Sequence, residues 1–269
     1  MDHRLTAVEL DGLERDGYVL RREVFDRGEA AEMTAACEEL VHRLVAQRRG
    51  DRHVFGSYVF DRDDEADTTI KWEGDSDVVH GIEPLAHLSP ELAGWAMDAR
   101  FVAPMVALAD DPAPTLFTEK LNLKRPRHGG RNPLHQDFPY WEGFATDASR
   151  IATAMLFLDD ASLDNGTLEV VPGSHTQGKW TTRRDRDDFG NLEIDPSAEA
   201  GVTTVPIEVE AGSVVYFGAF LVHKSAPNRS ADERRSLLFS YQPGGWPHAR
   251  ELLRERRANA SASPGRGRA

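Results

Sequence analysis

The segment Leu134-His135-Gln136-Asp137 holds an imidazole and a carboxylate two residues apart. On an extended strand such residues point to the same face. His135 and Asp137 can therefore grip one ion together. A third ligand must come from a distant part of the chain. His223, in a short apolar segment beyond the turn Ala211-Gly212, is the best candidate. Two imidazoles and one carboxylate leave three positions of an ion open. That suits iron(II), which must take a chelating cosubstrate and oxygen at once. A His-x-Asp pair alone is more often a chance spacing on a surface strand. Here Pro133, Phe138, Tyr140 and Trp141 flank it, and we read the three aromatics as pocket wall beside the metal, although aromatics bury large areas in any barrel. Other histidines have plainer readings. His42 and His53 lie in polar stretches, His128 in a basic loop, and His175 after a turn. His80 and His87 are less clear.

A second feature follows His223. The run His223-Lys224-Ser225-Ala226-Pro227-Asn228-Arg229-Ser230 leads to Arg234-Arg235, which open an apolar strand. A cation at the edge of an apolar interior needs a partner, and a dicarboxylate would be one. Equally, both arginines could flank a surface strand. Alternation places Arg234, Ser236, Leu238 and Ser240 on one face and Arg235, Leu237, Phe239 and Tyr241 on the other. The face with small polar side chains better suits a wet cavity.

These residues need a scaffold. Thr6 and Glu9 form a capping box that opens a helix, and Gly17 stops it. A short strand at Tyr18-Val19-Leu20 follows. Asp26 and Glu29 start a second helix, with Met33, Cys37, Leu40, Val41 and Leu44 on one face. Residues 51–110 are less patterned: strands at Val54–Phe60 and Thr69–Trp72, a charged loop at Arg62–Asp67 and a helix at Pro90–Leu108. Eight short apolar segments with turns between them then run from Thr115 to Gln242. This predicts a jelly roll or related barrel. Asn165-Gly166 reads as a hairpin turn, and the polar segment Gln177–Glu199 as an excursion from the barrel.

Composition bounds the rest. The 269 residues are 40% hydrophobic and 29% charged, with a net charge of −13. Residues 249–269 hold six Arg and two Glu, so the body to His248 carries −17. Such a body argues against a nucleic-acid partner. It offers little to steer a polyphosphate such as a coenzyme A thioester, and the basic loop Lys124–Arg131 reads as solvated. Cys37 is the only cysteine, which excludes a disulfide framework and predicts a reducing compartment. With no apolar run of membrane length and no signal core, the expectation is a cytoplasmic protein with no membrane partner. One domain is expected over 1–248, with a helical N-terminal part at 1–110 and a jelly-roll core at about 113–243. Residues 249–269 read as a basic, disordered tail.

The chain resembles the phytanoyl-CoA dioxygenase family of Fe(II)/2-oxoglutarate-dependent oxygenases. The matching pieces are Asp16-Gly17-Tyr18-Val19, Pro133-Leu134-His135-Gln136-Asp137, Asn165-Gly166-Thr167-Leu168 with Pro172-Gly173-Ser174-His175, and His223 through Arg234. The resemblance implies a mainly β fold with flanking helices on a double-stranded β-helix (jelly-roll, cupin-like) core. It implies His135, Asp137 and His223 as iron ligands, with Arg234 pairing the distal carboxylate of 2-oxoglutarate and Ser225 assisting. Gln136, Thr153 and Thr167 are further cosubstrate-shell candidates. Cofactor and cosubstrates would be Fe(II), 2-oxoglutarate and O2, and the reaction hydroxylation of a small-molecule metabolite. Related enzymes that transfer halide have a small residue in place of the carboxylate ligand, whereas this chain has Asp137. Residues 51–110 carry no family signature, and Trp72 and His80 are the substrate-pocket candidates there. Two alternatives are a cupin-like isomerase or hydrolase and a barrel that binds a ligand without turnover. Neither would form succinate.

Overall fold

The computed structural model describes residues 2–47, 52–55, 58–74, 76–184, 192–199 and 201–262. In chain order the elements are α1 (Ala7–Asp16), β1 (Tyr18–Arg21), α2 (Arg27–Gln47), β2 (His53–Phe55), β3 (Tyr58–Asp63), β4 (Thr68–Trp72) and β5 (Val79–Glu83). Then come α3 (Pro90–Trp95), α4 (Ala99–Leu108), β6 (Thr115–Lys124), β7 (Asn132–His135), α5 (Phe138–Trp141), β8 (Ala152–Phe157) and β9 (Leu168–Val170). The chain continues through β10 (Thr182–Arg184), β11 (Leu192–Ile194), α6 (Pro196–Glu199), β12 (Val205–Pro206), β13 (Val214–Gly218), β14 (His223–Ser225), β15 (Arg234–Gln242) and α7 (Ala249–Ala262).

The strands make a nine-stranded antiparallel sheet in the order β1-β13-β8-β15-β6-β5-β4-β3-β2, and a four-stranded sheet in the order β12-β9-β14-β7. This is the expected jelly-roll core. The two faces of the large sheet differ because side chains alternate along each strand. One face sends Leu121, Leu123, Ala154, Leu156, Tyr216, Leu237 and Phe239 against Met33, Cys37 and Leu40 of α2 and Phe101 of α4. The other sends Met155, Phe157, Val215 and Phe217 towards Leu168, Val170 and Leu221 beside the small sheet.

The helix signals act as read. Thr6 and Glu9 bond reciprocally, and Gly17 takes a φ of 84°. Asp26 and Glu29 do likewise, with bonds of 2.9 and 2.8 Å. Cys37 is fully buried in the α2 stripe.

Several elements depart from the sequence reading. The N-terminal part is not mainly helical beyond α2, because β2 to β5 extend the large sheet. The helix expected over Pro90–Leu108 is two helices, since the Asp98 side chain accepts from the Arg100 amide and caps a new start. Asn165-Gly166 makes a turn, with Gly166 at φ 76°, yet it is no hairpin. It carries the chain from β8 in the large sheet to β9 in the small one. A Cβ on Gly166 would lie 2.2 Å from the Ala226 carbonyl oxygen, so the glycine allows the loop before β15 to pack there. Residues 249–262 form a helix instead of a disordered tail. Asp67 pairs with Arg254 at 2.6 Å and Arg257 at 3.1 Å, and also with Arg62. Local composition could not reveal that anchor. The rest of the expected tail, 263–269, lies outside the described residues. No helix among those described is long and apolar enough to cross a membrane.

Candidate metal centre and active site

β14 lies between β7 and β9, and its register sets His223 directly opposite His135. The two rings stand 4.2 Å apart, centroid to centroid. Asp137 arrives differently from the strand alternation expected. β7 ends at His135, and Asp137 has helical φ and ψ at the start of α5. The turn still brings its Oδ1 to 3.8 Å from His135 Nε2 and 4.0 Å from His223 Nε2. The ligand atoms of all three lie within 4.8 Å of one another.

The imidazoles are aimed by backbone. His135 Nδ1 donates to the Pro133 carbonyl at 2.7 Å, and His223 Nδ1 donates to the Leu221 carbonyl at 3.0 Å. Each bond places the proton on Nδ1 and leaves the Nε2 lone pair facing the cluster, the arrangement metal-bound histidines use. Burial, and then the neighbouring His223, hold the His135 pKa well below its ordinary value. Burial pushes that of Asp137 up. A divalent cation would favour the basic form of both. Neutral imidazoles with a carboxylate and an open side suit iron(II).

The cluster faces a cavity of about 190 Å³ between the sheets. Arg234 enters it from the start of β15 and is 1% exposed. Its Nη1 donates to Ser236 Oγ at 3.1 Å, while its Nε has no hydrogen-bond partner among the described residues. Desolvation lowers its pKa to about 10. Arg235 points the other way, onto Asp159 at 2.7 Å and Glu38 at 3.0 Å. So the β15 alternation leaves one arginine structurally paired and the other buried without a carboxylate partner among the described residues. A dicarboxylate fits the second.

The other expected residues divide. Ser225, Thr153, Tyr140, Trp141 and His80 line the cavity. Thr153 Oγ1 bonds Ser240 Oγ at 2.8 Å. Ser225 Oγ accepts from Asn132 at 3.2 Å. Tyr140 meets the His135 ring edge-on and accepts from the Leu192 amide at 3.0 Å, linking the 177–199 excursion to the cavity wall. His80 Nδ1 bonds Glu73 at 2.7 Å. Gln136, Thr167, Trp72 and Phe138 are not in the lining. Gln136 donates to the Gly178 and Phe220 carbonyls and accepts from the Trp180 amide. Its amide is therefore used in holding the excursion. Thr167 donates to the Ile207 carbonyl. Trp72 donates to Asp61 at 2.9 Å under the Arg52 guanidinium. Phe138 stacks on Phe220 at 4.4 Å.

Sequence reasoning passed over Lys71, Glu83, Thr118, Lys120 and Asn122, all of which line the cavity. The signal was present in β6. Thr118, Lys120, Asn122 and Lys124 alternate with Phe117, Leu121 and Leu123, which are fully buried on the other face. Lys124 is not the solvated loop residue expected. It is 1% exposed and donates to the Ala226 carbonyl.

Fold and cluster together define a double-stranded β-helix with a two-histidine, one-carboxylate site facing an arginine-lined cavity. The phytanoyl-CoA dioxygenase family model matches residues 13–236, and the chain belongs to that family. Fe(II), 2-oxoglutarate and O2 are the cofactor and cosubstrates of this family, and the donor set here fits them. L-proline trans-4-hydroxylase of Streptomyces griseoviridis is 35% identical over 147 residues, 47% of this chain and 53% of that protein. Methylphosphonate hydroxylase of Gimesia maris is 30% identical over 135 residues, 50% and 47% of the two chains. The alignments thus span about half the length of these relatives. With the phytanoyl-CoA dioxygenase of Arabidopsis thaliana the identity is 25%, over 86% of this chain and 87% of that one. Among solved structures, the carbocyclase SnoK from nogalamycin biosynthesis superposes with a TM-score of 0.70 at 21% identity, covering 97% and 92% of the chains. EctD from S. alaskensis with bound Fe also gives 0.70, at 22% identity, covering 89% and 77%. At these identities the likeness is one of fold.

Proposed function

We propose that this chain is an Fe(II)/2-oxoglutarate-dependent dioxygenase that hydroxylates a small-molecule metabolite. The observation that carries the reading is the pairing of two features in one cavity. The His135–Asp137–His223 cluster would hold the iron, and Arg234, buried with no carboxylate partner among the described residues, would take the distal carboxylate of 2-oxoglutarate. Iron supplies the redox chemistry that couples oxidative decarboxylation of 2-oxoglutarate, to succinate and carbon dioxide, to oxidation of a C–H bond. The chain's own part is positional. His135 and His223 present fixed Nε2 lone pairs. Asp137 supplies the third ligand and leaves no protein-side position for a halide. Ser225, Thr153 and Ser240 give the cosubstrate end of the cavity its polar surface.

The two relatives aligned over about half their length are hydroxylases of small polar molecules, which supports a small substrate over a polyphosphate thioester. Succinate formation from 2-oxoglutarate, with iron(II) and ascorbate, tests the class of reaction. Its absence from correctly folded, metal-loaded protein would return the choice to a non-oxidative metal enzyme or a binding barrel. Turnover in chloride buffer under labelled oxygen should place one labelled atom in a hydroxylated product. A chlorinated product would contradict the role given to Asp137.

A further inference from the structure

A second charged cluster lies on the cavity floor, away from Arg234. Strands β4, β5 and β6 are neighbours, and the register sets Lys71 opposite Gly81 and Gly81 opposite Asn122. Glu83, two residues beyond Gly81, accepts an ion pair from Lys71 and lies 3.8 Å from Lys120. Two ammonium groups thus share Glu83, with Asp137 of the cluster a further negative charge near Lys120; with Asp137 holding a cation, one positive charge of the lysine pair stays uncompensated among the described residues. Lys71 and Lys120 are only 22% and 28% exposed, so bulk water does little to screen it.

Two further details give the floor a shape. A Cβ on Gly81 would sit 2.8 Å from the Leu121 carbonyl oxygen and 3.4 Å from Asn122 Oδ1. The bare glycine therefore lets β5 approach the β6 backbone closely beside Asn122 and Lys120. Asn122 Oδ1 is buried and has no hydrogen-bond partner among the described residues. An unfilled acceptor in a cavity wall invites an O–H or N–H donor. The cluster is also separate from the cosubstrate end. Lys120 is four residues along β6 from Lys124, a rise of about 13 Å, and Lys124 is the residue opposite Arg234.

We propose that Lys71 and Lys120 form the substrate's anion subsite, so that the primary substrate is a small carboxylate with an adjacent O–H or N–H donor for Asn122. The proposal rests on the oxygenase reading above, since it treats the Arg234 end as taken by 2-oxoglutarate. Within it, Glu83 has a defined part. It holds both ammonium groups in place and competes with the ligand for them.

The test uses full-length protein loaded with iron(II) under anaerobic conditions. Binding of 2-oxoglutarate is measured first by calorimetry, and its failure would count against the earlier reading alone. The loaded protein is then titrated with the twenty standard amino acids and the C2–C6 hydroxy acids, each beside its primary amide. Acids should bind and their amides should not. Lys71→Met and Lys120→Met should each weaken the best acid roughly tenfold, with 2-oxoglutarate binding unchanged. Glu83→Gln should tighten it, an effect that loss of a merely structural ion pair would not produce, and Lys120→Arg should retain it. Equal binding of acids and amides, no binding by any panel member to protein that holds 2-oxoglutarate, or weaker binding in Glu83→Gln would each overturn the proposal. A methionine variant that fails to fold leaves Glu83→Gln and Lys120→Arg to decide.

Discussion

Arg234 and Lys124 stand opposite each other in the β15–β6 register, both buried, with no carboxylate within ion-pair distance of either among the described residues. Two adjacent cations in an apolar setting depress each other's charged form. The Lys124 ammonium yields first. Burial and Arg234 bring its pKa to about 6, against an ordinary value of 10.5.

This predicts a specific pH dependence of stability. Between pH 6 and 10.5 the unfolded chain keeps a proton on Lys124 that the folded chain has lost. Stability therefore rises with pH in that window, at a slope approaching about 1.4 kcal/mol per pH unit from this group. Denaturant titrations of metal-free protein at pH 6 to 9 should show wild type gaining on Lys124→Met as pH rises. Saturating 2-oxoglutarate should flatten the difference, because an anion beside Arg234 restores the ammonium. A constant gap between the two proteins would mean that Lys124 stays charged.

The two arginines that open β15 should separate cleanly. Arg234→Leu removes the buried partner of a carboxylate, a loss of about 2–5 kcal/mol. It should raise the 2-oxoglutarate requirement by orders of magnitude with little change in thermal stability. Arg235→Leu leaves Asp159 and Glu38 without one of their cations. It should lower the melting temperature and leave the 2-oxoglutarate requirement nearly unchanged. Steady-state titration of 2-oxoglutarate beside a melting curve distinguishes them.

Metal affinity should follow the cluster and its backbone aim. His135→Ala, Asp137→Ala and His223→Ala should each lose iron(II) when dialysed against the free ion, as metal analysis would show. His80→Ala and His175→Ala should keep it. His80 is engaged with Glu73, and His175 packs under Gly17, where a Cβ would meet its ring at 2.4 Å. Iron lost from His175→Ala but not from His223→Ala would displace the third ligand.

What the sequence disclosed follows from where information is local. Capping boxes, the α2 stripe, the β15 alternation and the polar face of β6 are period and spacing signals, so they were open to reading. The order of strands in the sheets was not. That is why Asn165-Gly166 read as a hairpin turn although β8 and β9 belong to different sheets. The family resemblance made Gln136 a cosubstrate-shell candidate. Its amide instead bonds Gly178, Trp180 and Phe220, all more than forty positions away. Lys71, Glu83 and Lys120 form one cluster only through the pairing of β4, β5 and β6. No short window contains all three.

The helix α7 gives the last prediction, because composition alone made it a tail. Ala249 and Leu252 pack with Phe117, Phe138, Trp141 and Phe144, and Trp141 is also cavity wall. Phe117 meets Trp141 edge-on at 5.6 Å and stacks on Phe144 at 5.9 Å. The helix thus backs the wall from behind, and Asp67 secures it through Arg254 and Arg257. Removing residues 249–269 would expose this aromatic cluster to water and free the Trp141 ring to change rotamer, while His135 on β7 and His223 on β14, two of the proposed iron ligands, keep their backbone bonds. The truncated protein should therefore bind iron(II) and 2-oxoglutarate as before. It should lose substrate oxidation relative to 2-oxoglutarate consumption, so that more succinate forms per product molecule. Asp67→Asn should shift that ratio in the same direction and by less, since Arg62, Arg254 and Arg257 lose a charge partner while Leu252 keeps its apolar contacts. The ratio of succinate to oxidised product, read for the three proteins at saturating 2-oxoglutarate, checks the order. An unchanged ratio in the truncated protein would show that the Trp141 wall stands without the helix.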